Sequence, residues 1–336
     1  MATIYVAMPE GLLRAHQDED GWALRRTLEE LRVECLATPA DGEVLVGTFD
    51  GSLYRVPPGG GPLTGVEGWD RAIADVEAAV TALAVSPHDP GVWYVGTEPS
   101  AVYRTVDDGA SFTRLDGLNE VPSAEEWSFP PRPETHHVRT MAVDQDEPDR
   151  LYVGIEAGAF VYTPDGGETW IDRPDGSCRD NHEVQTHPGA VDRVFAAAGD
   201  GFAASTDRGE TFTRPEDGLD HRYCWSLAID PDDPDRSLLS AASGARTAHR
   251  HEHAEAYLYR RSGGGPWERL ERAGIPAGDG VTRSELAVDP DSGTVYAASN
   301  RGLFRTADFG TSWGVVPVRW PEELREQTPR DLLVVP

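Results

Sequence analysis

The chain contains no lysine: all 30 of its basic residues are arginine, set against 58 Asp and Glu, for a formal net charge of −28. A basic face for phosphate contacts is therefore missing, and nucleic acid is not an expected partner. Cysteine is scarce. Cys35, Cys178 and Cys224 are an odd number without CxxC spacing, which does not suggest a disulfide framework or a zinc knuckle. No apolar run approaches the roughly 20 residues that a membrane span needs, so no membrane partner is expected. Residues 1–8 lack a basic n-region and a small-residue cleavage site; no signal peptide is read there, and the cytoplasm is the expected location.

What is present is turn-forming material: 35 glycines and 26 prolines among 336 residues, with 39% apolar residues. That composition fits a globular chain of many short elements, and all-β folds of this length often form one domain. The acidic residues are spread through the turns and not gathered in one tail, which argues against a dedicated basic-partner or cation-binding segment. An acidic surface without lysine is expected of a protein from a halophile, where molar salt in the cytoplasm screens the self-repulsion.

A repeat organises the sequence. Leu83-Ala-Val85, Met141-Ala-Val143, Leu227-Ala-Ile229 and Leu286-Ala-Val288 are copies of one element, with weaker copies at Leu36, Val184 and Leu333. These seven anchors stand 43 to 59 residues apart, a period that suits a four-stranded propeller blade. After the anchor comes a turn rich in Asp and Pro, such as Asp144-Gln-Asp-Glu-Pro148, which reverses the chain. Short β-branched and aromatic runs follow, such as Leu151-Tyr-Val-Gly154 and Ala159-Phe-Val-Tyr162, and read as strands. Only 70–79 and 321–327 look helical. The sequence ends on an anchor strand, Asp331-Leu-Leu-Val-Val335, and begins with later strands that have no anchor. Joined, they make one blade and remove two open sheet edges.

The fold expected is thus all-β: a single seven-bladed β-propeller in which the C-terminal strand completes the N-terminal blade. Its blades fall at 331–335 plus 2–28, 32–66, 79–116, 137–173, 181–215, 222–270 and 281–317.

Four units carry a near-identical turn after their third strand: Thr105-Val-Asp-Asp-Gly-Ala-Ser-Phe112, Thr163-Pro-Asp-Gly-Gly-Glu-Thr-Trp170, Ser205-Thr-Asp-Arg-Gly-Glu-Thr-Phe212 and Thr306-Ala-Asp-Phe-Gly-Thr-Ser-Trp313. These resemble the BNR or Asp-box repeat of sialidases, two-domain xyloglucanases, sortilin-type receptors and photosystem assembly propellers. Asp107, Asp165, Asp207 and Asp308 can accept hydrogen bonds within their own turns, so their reading is structural and not catalytic. The resemblance implies that these turns lie on the face opposite a ligand site.

A ligand site is expected at the central mouth. Alignment on the anchors places Glu34, Thr81, Arg139, His182, Trp225, Ser284 and Asp331 at one position of the seven innermost strands, two residues before each anchor. Arg32, His137, Asp180, Tyr223 and Thr282 stand one step further out. With Arg283 they make a polar, His- and Arg-rich mouth whose ligand is a small molecule, a glycan or a protein. Histidines 249, 251 and 253 alternate in a long loop; if that loop is extended they face one way and can hold a divalent metal such as Zn²⁺.

The main reading is a non-catalytic binding propeller. Alternatives are a glycosidase-like enzyme, drawing on Arg139, Arg246, Arg283, Tyr223, Glu183 and Asp180, or a metal-dependent hydrolase or lyase using the histidine loop. Against a sialidase stand the missing Phe/Tyr-Arg-Ile-Pro motif and a count of seven blades in place of six.

Overall fold

A computed structural model describes residues 2–19, 21–39, 42–74 and 76–336. The chain forms seven antiparallel sheets with almost no helix, a seven-bladed β-propeller. It divides into two compact units, 1–31 with 197–202 and 215–336, and 32–196 with 203–214.

The second of these units holds blades 2 to 4 and most of blade 5. Blade 2 runs Val33–Ala37, Val44–Thr48, Leu53–Val56 and Thr64–Gly65; blade 3 runs Ala79–Val85, Trp93–Glu98, Val102–Thr105 and Thr113–Leu115. Blade 4 comprises Val138–Val143, Leu151–Ile155, Phe160–Thr163 and Ile171–Asp172, and blade 5 comprises Asn181–Thr186, Val194–Ala198 and Gly201–Ser205. Neighbouring blades meet where the second strand has a glycine. A Cβ on Gly96 would lie 2.6 Å from Val138, and one on Gly154 would lie 2.7 Å from the Asn181 Cβ, so the next innermost strand seats directly on the glycine backbone. Side chains stitch the same contacts: the Thr81 hydroxyl donates to Val138 O at 2.7 Å, and Val184 N–H donates to the Thr140 hydroxyl at 3.0 Å.

The other unit holds blades 1, 6 and 7. Blade 1 is assembled from both ends of the sequence, Asp331–Val335 pairing antiparallel with Thr3–Met8 in register Leu333↔Tyr5, followed by Gly11–Asp18 and Gly21–Thr27. The expected closure is found. Leu332 and Val334 are buried in a core with Ile4, Val6 and Tyr296, and Val335 is buried as well. Blade 6 runs Tyr223–Asp230, Asp233–Ala242, Glu255–Arg261 and Glu268–Arg269; blade 7 runs Glu285–Val288, Val295–Ser299, Gly302–Thr306 and Gly314–Val315. The expected helices are shorter or displaced: one spans Glu67–Ala72, while 322–326 is a 3₁₀ turn. Asp75, within the first of those two expectations, lies outside the described residues.

Each of the four aspartate turns satisfies itself. Asp107 accepts from the Thr105 hydroxyl, and from the backbone N–H and hydroxyl of Ser111, at 2.6–2.9 Å; Asp165, Asp207 and Asp308 repeat the pattern. Gly109 there has φ +80°, as glycine allows. Hydrogen bonds from Ser312, aided by those from Thr306 and Thr311, outweigh the cost of burial and hold the Asp308 carboxyl down at about 2. The carboxylates thereby serve their own turns.

Candidate functional site

The innermost strands share a feature that sequence does not announce. In blades 2, 3, 4 and 6 the ladder slips by one residue between Val33 and Cys35, Val80 and Ala82, Val138 and Thr140, and Cys224 and Ser226. The residues inside these slips are Glu34, Thr81, Arg139 and Trp225, four of the seven aligned ring positions. A β-bulge takes a residue out of ladder pairing and re-aims its side chain, and bulges concentrate beside functional sites.

Around these bulges the unit of blades 2–5 builds a chain of alternating charge. Arg32 pairs with Glu34, and its guanidinium lies 4.2 Å from the centre of the Phe49 ring. Arg132 lies 5.0 Å from the same ring and 4.8 Å from that of Phe129, and grips Glu98 through two hydrogen bonds of 2.6 and 2.5 Å. His137 stands between two acids, with Nδ1 3.7 Å from Glu98 and Nε2–H donating to Glu156 at 2.9 Å. Arg139 Nε lies 3.8 Å from the same Glu156 oxygen. On the other Glu156 oxygen, at 3.9 Å, stands His182 Nε2, which is also 3.7 Å from Asp180. Ala157 N–H donates to that Asp180 oxygen at 2.7 Å. Burial would by itself raise the Glu156 carboxyl, but the hydrogen bond from His137 and the charges of His137, His182 and Arg139 hold it well below the usual carboxylate range. Burial, reinforced by the neighbouring His137, pushes the adjacent His136 imidazole below its usual value.

In this unit the structure therefore brings together Arg139, His137, His182 and Asp180, and sets Glu34 with Arg32. Glu98, Glu156, Phe49 and Arg132 are missed by alignment on the innermost strand, because three of them lie on the second strand or at its exit. A signal for them exists in the second strands: Val46-Gly-Thr-Phe49, Val95-Gly-Thr-Glu98 and Val153-Gly-Ile-Glu156 align, and the residue two after the glycine faces the site each time.

Blades 6 and 7 make a different cluster. Arg283 is fully buried; its guanidinium lies 3.8 Å from the centre of the Trp225 ring and pairs with Glu285. Trp225 Nε1–H donates to the same Glu285 at 2.9 Å. Tyr223 stacks beside Trp225 at 6.2 Å. His249 closes the group, packed edge-on against Trp225 at 4.5 Å, with Thr328 donating to its carbonyl at 2.9 Å.

The histidine loop is not extended, and the metal expectation at His249, His251 and His253 is corrected. Residues Ala245–His249 are helical and His251–His253 form a 3₁₀ turn, so the i, i+2 alternation that would aim the three rings one way is lost. His249 Nδ1 accepts from Arg283 Nε at 3.2 Å, and Nε2 meets the Tyr223 hydroxyl at 3.1 Å, which engages both nitrogens. The His253 ring faces Arg246 and that of His251 faces Glu252. Among the described residues the one group of His, Cys, Asp or Glu spaced to hold a metal is Glu156, Asp180 and His182. Asp331 takes a local role, accepting from the Leu332 N–H at 2.7 Å at the start of its strand.

No family model matches the chain. Over 174 residues it is 24% identical to the photosystem II assembly lipoprotein Ycf48 of Prochlorococcus marinus (strain MIT 9313), covering 51% of this chain and 47% of that protein. The match thus spans about half the length of that curated relative. Among solved structures the chain is similar to YCF48 bound to D1 peptide, with TM-score 0.61 and 12% identity over 90% of this chain and 92% of that one. It is also similar to YCF48 from Cyanidioschyzon merolae, with TM-score 0.59 and 13% identity over 85% of each chain. An ancestral GH74 enzyme aligns with TM-score 0.61 and 15% identity, over 84% of this chain and 38% of its own. At such identities the likeness shows the propeller fold.

Proposed function

We propose that this chain is a non-catalytic protein-binding propeller, and that it takes an extended peptide on the charged cluster of blades 2–5. The observation that carries the reading is the disposition of cations there. Arg32 and Arg132, each with about a third of its side chain exposed, fan over one Phe49 ring. Beneath them three acids are matched: Glu34 by Arg32, Glu98 by Arg132, Glu156 by His137. Planar guanidinium groups set on aromatic rings suit the carboxylates and carbonyls of a peptide. The likeness to a YCF48 structure bound to a D1 peptide supports the same reading.

A glycosidase of the kind that the GH74 neighbour exemplifies needs one carboxyl kept protonated as general acid. Here Glu156, one of the buried acids of the cluster, is held ionised and does not supply that acid.

The test is a titration of a fluorescent, Asp- and Glu-containing decapeptide in molar KCl. Saturable binding is expected, weakened by about tenfold or more in Arg132→Ala, equivalent to ~1.4 kcal/mol or more. Equal affinity in wild type and Arg132→Ala, or release of sugar from a glycan substrate, overturns the reading.

We further infer that the protein works in the salt-rich cytoplasm of a halophile, from its net charge of −28 and its want of lysine. Screening of that self-repulsion raises Tm as KCl is increased from about 0.1 M to molar. A Tm that falls or stays flat in thermal melts counts against it.

A further inference from the structure

We propose that Glu156, Asp180 and His182 form a binding site for a divalent first-row transition ion, with Zn²⁺ as the reference metal. The site lies in the same charged cluster, apart from the Arg32 and Arg132 guanidinium groups proposed above for the peptide, and does not depend on that reading.

Three observations converge on it. The first is geometry. One atom from each residue lies within 4.8 Å of the other two, and His182 Nε2 is 3.7 Å from Asp180 and 3.9 Å from Glu156. Those two separations exceed hydrogen-bond length. They are a few tenths of an ångström above the ~3.4 Å between two ligands that share a tetrahedral ion at about 2.1 Å. The third edge, Asp180 to Glu156, lies within 4.8 Å, so carboxylate movements of up to about 1.4 Å close the triangle around an ion.

The second is orientation from outside the triangle. His137 Nε2–H holds the opposite oxygen of Glu156 at 2.9 Å, leaving Oε1 turned to His182. Ala157 N–H fixes the Asp180 carboxylate at 2.7 Å. Such outer partners aim metal-binding groups and are the usual companions of a metal centre. Arg139 also lies on the His137 side of Glu156, on Oε2.

The third is how the backbone brings the groups together. Asp180 and His182 are an i, i+2 pair at the entry to the first strand of blade 5, where alternation sends them to one face. Gly154, two residues before Glu156, lets Asn181 seat against its backbone, which sets this pair beside the Glu156 carboxylate. The His182 side chain is fully buried, whereas that of Asp180 is 30% exposed and leaves a route in from solvent. Asp180 and Glu156 supply negative charge, which Arg139 and His137 offset in part at Glu156, and one imidazole selects a borderline transition ion over Ca²⁺ or Mg²⁺. Three protein ligands leave a fourth position for water.

The experiment uses the full chain, stripped with chelator, dialysed into molar KCl and titrated with Zn²⁺, with bound metal counted by elemental analysis. One equivalent per chain and a raised Tm are expected. His182→Ala should abolish this binding and Asp180→Asn should weaken it at least tenfold. His137→Ala, which removes only an outer partner, should weaken it by about 10- to 100-fold. His251→Ala should leave it unchanged. Absence of saturable binding, or equal affinity in wild type and Asp180→Asn, overturns the site. So does loss of binding in a folded His251→Ala. If His182→Ala fails to fold, Asp180→Asn decides, provided its circular dichroism matches wild type.

Discussion

The cluster of blades 2–5 and the cluster of blades 6–7 start from the same device, a bulge two residues before an anchor, and reach different ends. At Arg139 the bulge feeds a chain of paired charges that reaches partly exposed guanidinium groups at Arg32 and Arg132. At Trp225 it feeds a sealed knot, in which Arg283 is buried between an indole, a carboxylate and an imidazole, under a helical insertion that carries His249. Polar residue types at a shared position therefore do not by themselves mark a ligand site. What separates the two is whether solvent still reaches the cation.

The largest expected effect removes a strand from the unit with the sealed knot. Deleting Leu332 to Pro336 strips three buried side chains and the pairing with Thr3–Met8, and should cost at least ~4 kcal/mol. A truncated chain that melts like the parent would disprove the closure. Next comes a matched pair of arginine changes. Arg283→Ala leaves Glu285 buried without its cation and should cost about 3–5 kcal/mol in denaturant unfolding. Arg132→Ala should cost only about 1–2 kcal/mol, because water reaches its side chain and His137 stays beside Glu98, yet it should weaken the peptide. Equal destabilisation by the two would erase the distinction drawn between the clusters.

Acid provides the smallest and most graded test. Each unit has a histidine depressed first by burial, His136 in one and His221 in the other. A depressed histidine binds its proton more weakly folded than unfolded, so the unfolded chain takes up more protons as pH falls. Their contribution is whole above about pH 6.5 and is lost as pH drops below it through the folded values. The turn carboxylates act lower. Asp308, held at about 2, adds stability that is present above about pH 4 and disappears on approach to 2. Tm against pH should thus decline in two stages, and His136→Gln with His221→Gln should flatten the upper one alone.

Much of this is legible in the sequence. The seven anchors, the four aspartate turns and the terminal strand all rest on local, repeated chemistry, which is why they can be read from spacing. So could the gathering of Arg139, His137, His182 and Asp180, because strand alternation fixes which residues share a face. Glu98 and Glu156 escaped because they approach from the second strand, and alignment on the first says nothing of what stands opposite. The histidine loop departs from expectation for another reason. Alternating histidines predict a shared direction only on an extended backbone, and contacts of Ala248 and His249 with Arg283 and Thr328 hold that backbone in a turn. The Arg283–Glu285 pair is half visible in the sequence: Arg283 aligns with the mouth, but it is covered by His249, 34 residues earlier in the chain.

The bulged positions have a consequence for how such a scaffold can change. A residue outside the ladder contributes no backbone pairing, so its identity is released from the demands of sheet formation. Glutamate, threonine, arginine and tryptophan occupy this one spot in four blades of a single molecule without altering the strands on either side. The propeller thus keeps a set of interchangeable sockets, and descendants of this chain could acquire new ligands by swapping their contents while the surrounding architecture stays fixed.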